Sequence, residues 1–192
     1  YGGSSDQNYG IFVDGKLIKT VSSSATMQSS SGNQGIVFGT NQNGGAYFSG
    51  YLDEIRWVNG ENPFPITGFT PSKYRYGTTG ATHEVSTASN MKLLIHSNQQ
   101  ITDSSSNNTS IYSHGTTGIV KEETNRGSGA HANFGSSAIY MDGTGDYLSF
   151  PISSDFAAEA FGTPSGTDDD FTIEGWFKFG ADADQGLWGI DG

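Results

Sequence analysis

The chain of 192 residues carries 20 acidic and 9 basic side chains, for a formal net charge of −11, and it has no cysteine. A surface of this sign repels phosphate backbones and anionic lipid headgroups, so we expect neither nucleic acid nor a membrane as partner. The lack of cysteine excludes disulfide frameworks, thiolate zinc sites and thiol catalysis. The 28 glycines and the 12% aromatic residues are typical of short, half-buried strands joined by polar turns.

The clearest local signal is a β-hairpin predicted over residues 9–21. Two runs rich in β-branched and aromatic residues flank Asp14-Gly15, a pair that tolerates the positive φ angles of a type I′ turn. A short buried strand is predicted over residues 35–39, and a longer strand over residues 46–58. The first part of the chain therefore predicts a hairpin followed by two further strands.

Prolines and polar residues interrupt the strand pattern after residue 58. Pro63 and Pro65 exclude a central strand at this point, because proline cannot donate a hydrogen bond to a sheet ladder. The polar residues 78–90 are predicted to form a linker.

Short strands resume after this linker. They are predicted over residues 91–96, 111–112, 119–120, 137–142, 146–150 and 170–179. Gly143-Thr-Gly145 predicts a hairpin-like turn, and residues 153–160 are the one stretch that favours a helical turn. Strands this short, separated by glycine-rich turns, predict an all-β antiparallel sandwich or jelly roll.

Several segments share the features of one known family. They are Phe171-Thr-Ile-Glu-Gly-Trp-Phe-Lys-Phe179, Phe134-Gly-Ser-Ser-Ala-Ile-Tyr-Met-Asp-Gly-Thr-Gly-Asp-Tyr-Leu148, Leu93-Leu-Ile-His96, Tyr9-Gly-Ile-Phe-Val-Asp-Gly15, Phe48-Ser-Gly-Tyr-Leu-Asp-Glu-Ile-Arg56 and Phe69-Thr-Pro71. Together they resemble laminin-G-like domains, which are concanavalin A-like lectin jelly rolls. The resemblance implies an antiparallel jelly-roll β-sandwich, and the loops and tail most resemble modules of bacteriophage tail or other virion proteins.

The two halves of the family pattern occur in reverse order. Residues 1–77 resemble the C-terminal half of one laminin-G-like jelly roll, and residues 91–192 resemble the N-terminal half of a following one, so both chain ends look like cuts within a longer protein. Two explanations compete, a fragment of a tandem array and a circularly permuted sandwich. The tandem fragment is favoured because the central family strand is absent, although two half sandwiches would each expose a core face.

The acidic residues do not form a recognisable catalytic pattern. Glycoside hydrolysis needs two carboxyl groups at a defined separation, whereas adjacent Asp53 and Glu54 are expected to point to opposite faces of a strand. The four histidines have no metal-ligand spacing, and no nucleophile elbow occurs. We therefore expect a non-catalytic protein.

Calcium is the one cofactor that the acidic residues suggest. Asp142-Gly-Thr-Gly-Asp146 places two carboxylates around a turn, and the resemblance implies that Asp53 lies on a strand that can run near such a turn. Hard oxygen ligands of this kind suit Ca²⁺. The alternative is an ordinary turn in which aspartate tolerates positive φ.

Carbohydrate is the expected ligand class. Lectin-like sites stack an aromatic ring on a sugar and bind its hydroxyls with amide or carboxylate groups. The loop residues Asn41, Asn43 and Tyr47 are candidates for this role, whereas Trp57 and Trp176 sit in strand motifs and are expected in the core.

These features predict a non-catalytic module at an extracellular or virion surface. Its expected partner is a cell-surface glycan, as part of a longer phage fibre or surface protein. The alternative is a structural spacer or decoration that contacts neighbouring structural subunits, and analogy with fibre proteins allows a homo-oligomer.

Overall fold

The computed structural model describes residues 2–3, 6–23, 35–41, 44–60, 64–65, 67–77, 90–121, 132, 134–151 and 171–191. These residues form twelve β-strands and no α-helix, so they include no helix that could cross a membrane. The strands are β1 (Gly2–Gly3), β2 (Asp6–Val13), β3 (Lys16–Ser23), β4 (Gly35–Phe38), β5 (Ser49–Asn59), β6 (Met91–Ile95), β7 (Tyr112–His114), β8 (Gly118–Lys121), β9 (Ser137–Asp142), β10 (Tyr147–Pro151), β11 (Phe171–Phe179) and β12 (Trp188–Asp191).

Two antiparallel sheets share one hydrophobic core. The first sheet has the strand order β12-β4-β10-β7, and the second has the order β11-β5-β9-β8, with β6 also paired to β5. Buried apolar residues of both sheets form a single cluster, including Phe38 and Phe150 from the first sheet and Leu52, Trp57 and Ile139 from the second. The prediction of an all-β antiparallel protein is therefore confirmed, and the arrangement is consistent with a β-sandwich.

The predicted strands are present, with bounds that shift by one or two residues after residue 90. The sequence did not predict β12, which is four residues long and begins at Trp188. The polar loop after β3, the linker residues 78–89 and the predicted helical turn at 153–160 lie outside the described residues.

The hairpin around Asp14-Gly15 is confirmed. Strands β2 and β3 pair antiparallel, and β1 extends them to a three-stranded sheet. Phe69 N–H donates a 2.8 Å hydrogen bond to the Gly15 carbonyl, and the Phe12 and Phe69 rings lie 5.7 Å apart between centroids. The hairpin tip therefore packs on the chain near residue 69, whereas Ile11 and Ile18 are exposed.

A β-bulge in β5 corrects the expectation that Asp53 and Glu54 face opposite ways. Arg56 pairs with Glu174 and Asp53 pairs with Trp176, so β5 holds one more residue than β11 across this interval. Glu54 has a φ of 49°. The apolar residues on either side of Asp53-Glu54, which are Leu52 and Ile55, both lie in the core. An extra residue disrupts strict alternation. Both carboxylates therefore lie on the side of the sheet away from the core.

The turn at Gly143-Thr-Gly145 is not a hairpin, contrary to the prediction. Strand β9 belongs to the second sheet and β10 to the first, so this turn is a corner between sheets. Strands β7 and β8 change sheets in the same way, and they pair with β10 and β9 respectively. The four strands thus form one long ribbon that folds across both sheets, with two corners side by side.

Strands on both sides of the predicted linker share the same sheets. Strand β4 lies between β12 and β10, and β5 lies between β11 on one edge and β9 and β6 on the other. The assignment of residues 1–77 and 91–192 to two successive domains stays a prediction. Within this chain, the strands of the two stretches pair with each other.

We expect Gly115→Ala to destabilise the protein by roughly 3 kcal/mol, and Gly145→Ala by only about 1 kcal/mol. Both glycines have a positive φ, 67° and 74°, so both substitutions carry the same backbone strain. A Cβ at Gly115 would clash with Asp146 Oδ1, whereas a Cβ at Gly145 would meet nothing within 4 Å. Urea unfolding measures the difference, and equal losses would show that the two corners do not pack as described.

Candidate functional site

Three aromatic side chains from separate segments form a row at one end of the first sheet. Tyr47 precedes β5, Tyr147 begins β10 and His114 ends β7, where it is the ladder partner of Tyr147. The imidazole of His114 stacks on the Tyr147 ring, with a centroid distance of 4.0 Å and an interplanar angle of 3°. The Tyr47 ring lies 6.4 Å from the Tyr147 ring at 31°. We call Tyr47, Tyr147 and His114 the aromatic row.

The aromatic row lies on the face of β10 that points away from the core. Leu148 and Phe150 are buried in the core, and the alternating Tyr147 and Ser149 are half-buried on the other side. Ser149 Oγ lies 2.8 Å from His114 Nε2. Tyr112, the ladder partner of Ser149, is 57% exposed. Flat rings beside hydroxyl and imidazole groups can stack on a sugar ring and hydrogen-bond its hydroxyls.

Asn41, one of the two loop asparagines predicted to bind sugar, has its side-chain oxygen occupied within the loop. Asn41 Oδ1 accepts a 2.9 Å hydrogen bond from Gly45 N–H, and the Asn41 carbonyl accepts one of 3.1 Å from Gly44 N–H. Asn41 therefore holds the turn before Tyr47 with its side-chain oxygen. Asn43 lies outside the described residues.

Asp142 and Asp146 come together at the sheet corner. The Asp146 side chain is fully buried, and its Oδ1 accepts a 2.5 Å hydrogen bond from Thr116 N–H while its Oδ2 accepts one of 2.7 Å from Asp142 N–H. Thr116 Oγ1 also lies 3.1 Å from Asp146 Oδ2. Asp142 is exposed and accepts a 2.7 Å hydrogen bond from Thr144 N–H. The Asp146 carboxylate thus joins the two corners of the folded ribbon.

Asp53 does not join this pair. Its Oδ2 accepts a 2.8 Å hydrogen bond from Phe134 N–H. Asp142 is the ladder partner of Ser49, and Asp53 lies four residues further along β5, which corresponds to roughly 13 Å. Over the described ranges, no group of three or more His, Cys, Asp or Glu side chains is arranged to hold a metal ion.

A buried polar network covers the outer side of the second sheet. Glu54 is fully buried; its Oε2 accepts a 3.1 Å hydrogen bond from Tyr76 N–H and lies 2.9 Å from His96 Nδ1. Arg56 is also fully buried, and its Nε donates a 2.6 Å hydrogen bond to Glu174 Oε1. We call Glu54, Arg56, Tyr76, His96 and Glu174 the outer network.

Tyr76 joins the Arg56–Glu174 ion pair to Glu54 within the outer network. The Arg56 guanidinium lies 4.4 Å from the centre of the Tyr76 ring. Burial, together with the negative charge of Glu174, raises the pKa of the Tyr76 hydroxyl above its ordinary value. Every carboxylate of the network has a partner within the chain, so the network holds the segment around Tyr76 against the sheet.

Sequence reasoning missed most of these contacts. Two strands that pair with each other carry Tyr147, His114 and Ser149, and no local sequence pattern predicts which strands will be neighbours. The outer network depends on the bulge at Glu54, whose residue type is not one that favours positive φ. Asp142 and Asp146 could be found because they flank a glycine-rich turn.

Searches of family models, of curated proteins and of solved structures found no match to this chain.

We expect Asp146→Asn to lower the free energy of unfolding by roughly 2 kcal/mol, because an amide retains only one of the two acceptor oxygens that face backbone N–H groups. Asp142→Asn is the matched control, since its side chain is exposed, and the loss there is expected to be smaller. Denaturant unfolding measures both. If Asp142→Asn is the more damaging change, the proposed role of Asp146 in joining the corners is wrong.

We also expect the free energy of unfolding to fall as pH rises above about 10, the ordinary pKa of tyrosine. The folded state keeps the Tyr76 proton that the unfolded state releases, so stability is lost with increasing pH. Tyr76→Phe removes this contribution and should make the decline less steep by about 1 kcal/mol per pH unit.

Urea unfolding between about pH 8 and about pH 11 measures the slope. Tyr74→Phe is the control, because Tyr74 is 80% exposed. Identical slopes for the two variants would contradict the assignment of Tyr76 to a buried site.

Proposed function

We propose that this chain is a non-catalytic glycan-recognition module of the concanavalin A-like jelly-roll type, acting at an extracellular or virion surface. The aromatic row is the observation that carries the proposal. The His114 and Tyr147 rings are stacked, the Tyr47 ring lies beside them, and Tyr112 adds an exposed ring on the same sheet. Ring faces can stack on the apolar faces of sugar rings, and the tyrosine hydroxyls can hydrogen-bond to their polar rims.

Further support comes from topology, charge and sequence. Two antiparallel sheets share one core, and a ribbon of four strands folds from one sheet to the other, as strands do in jelly rolls. The net charge of −11 favours an uncharged partner such as a neutral glycan over a polyanion. The resemblance of the strand motifs to laminin-G-like modules of virion proteins points to the same class.

A structural role among neighbouring subunits is the second candidate. The hairpin of β2 and β3 exposes apolar side chains, with Ile11, Val13 and Ile18 each at least half exposed. Apolar side chains clustered in this way are typical of surfaces that contact other proteins. A spacer or decoration module, with or without self-association, would use this surface and leave the aromatic row empty.

Calcium stays a prediction for the corner at Asp142. Two of the three predicted ligands, Asp142 and Asp146, lie together, and the exposed Asp142 carboxylate is the one that could reach a cation from solvent. Asp146 would contribute through the orientation of the corner, because its oxygens already accept backbone hydrogen bonds.

A glycan array probed with the full chain tests the glycan proposal. We expect saturable binding to a subset of neutral glycans, and Tyr47→Ala or Tyr147→Ala should weaken the affinity for the best of them about tenfold, the loss of one ring contact of roughly 1.4 kcal/mol. Tyr74→Ala is the matched control, because its ring is exposed and lies outside the aromatic row.

Two results would reject the glycan proposal. One is a silent array with correctly folded protein, and the other is binding that Tyr47→Ala and Tyr147→Ala leave unchanged. A silent array combined with self-association that Ile18→Asp abolishes would support the structural role instead.

A further inference from the structure

Two strands of the first part of the chain are inserted between strands of the second part. Among the described strands, β4 pairs only with β10 and β12, and β5 pairs only with β6, β9 and β11. All five of these partners lie within residues 90–191, which we call the receiving segment. Residues 35–59, which carry β4 and β5, are the inserted segment.

The inserted segment also supplies the centre of the core. Trp57 and Phe38 are fully buried. The Trp57 ring lies 5.9 Å from Phe171 and 6.1 Å from Trp188, and the Phe38 ring lies 5.7 Å from Phe150. Without the inserted segment, both sheets would have an internal gap and unpaired strand edges, which is costly for buried backbone groups.

The inserted segment has no partner strand of its own. Its two strands lie in different sheets and do not pair with each other. Isolated strands of this kind are not stable in water. Polar contacts to the receiving segment fix the register, including the ion pair of Arg56 with Glu174 and the 2.8 Å hydrogen bond from Ser49 N–H to Gln185 Oε1.

We propose that the receiving segment can take its two missing strands from the inserted segment of a second copy of this chain. The contacts between the two segments would be those described within a single copy, so exchange between copies preserves the strand pairing and the core. The covalent connection raises the local concentration of the segment in the same copy, to a value on the order of millimolar. The monomer therefore dominates at micromolar concentration, and exchange occurs when the segment in the same copy is disabled or when copies are held close together. This inference is independent of the proposed glycan function.

Two full-length variants with complementary defects test the exchange. Trp57→Asp disables the inserted segment, and Leu93→Asp, at another fully buried position, disables the receiving segment. We expect neither variant to refold alone. Refolded together at equal concentrations of about 50 μM, they should regain about half of the wild-type near-UV circular dichroism, because one intact pair of segments forms for every two chains.

A mixture with both defects in the same segment is the matched control. Trp57→Asp and Leu52→Asp together contain no intact β5, so we expect no recovery of signal. If the complementary mixture recovers no more signal than this control, the exchange proposal is overturned.

A disulfide provides a second, independent measurement. The chain has no cysteine, and Tyr51 of β5 is the ladder partner of Tyr140 of β9, with ring centroids 5.2 Å apart. Ladder partners lie at a Cα separation that a disulfide can bridge. We therefore add Tyr140→Cys to the Trp57→Asp chain and Tyr51→Cys to the Leu93→Asp chain.

Oxidation of this mixture should give a covalent heterodimer on a non-reducing gel. Tyr74→Cys in place of Tyr51→Cys is the control, because the exposed Tyr74 lies outside the strands. Equal heterodimer yields from the two mixtures would contradict the exchange of β5 between copies.

Discussion

A strand in the middle of a sheet must satisfy backbone hydrogen bonds on both of its edges, and β5 does so with strands from beyond residue 90. The same strand places Leu52, Ile55 and Trp57 in the core and carries the outer network on its other side. The placement of this one strand determines the two layers, the attachment of the segment around Tyr76 and the position of the sheet corners.

Local chemistry predicted the elements well and their partners poorly. Asp14-Gly15 defined a hairpin because the turn type is encoded in two residues, and alternating apolar residues defined β11. Gly143-Thr-Gly145 suits a corner between sheets as well as a hairpin, so its sequence could not distinguish them. The bulge at Glu54 reversed the expected direction of a carboxylate because the extra residue is visible only against the opposing strand.

Some residues of the candidate site were predictable from local patterns, but their neighbours in the fold were not. Tyr47 was identified from its loop, but Tyr147 and His114 join it only because β7 and β10 pair. Asp142 and Asp146 were found from the turn that they flank, whereas Asp53 was linked to them by family resemblance and lies well along the neighbouring strand. Residues that converge from distant segments require the strand order, which single-sequence patterns do not contain.

The insertion of β4 and β5 also sets the order in which the protein can fold. Arg56 and Glu174 are 118 positions apart, and Ser49 and Gln185 are 136 positions apart, so the central ladders close very long loops. Closing such loops costs conformational entropy before the stabilising contacts form, which makes folding slow. During synthesis on the ribosome, β5 has no partner strand until β6 has been made, and β4 has none until β10 has been made. The apolar residues of both strands therefore stay without their core partners until the second part of the chain has been made.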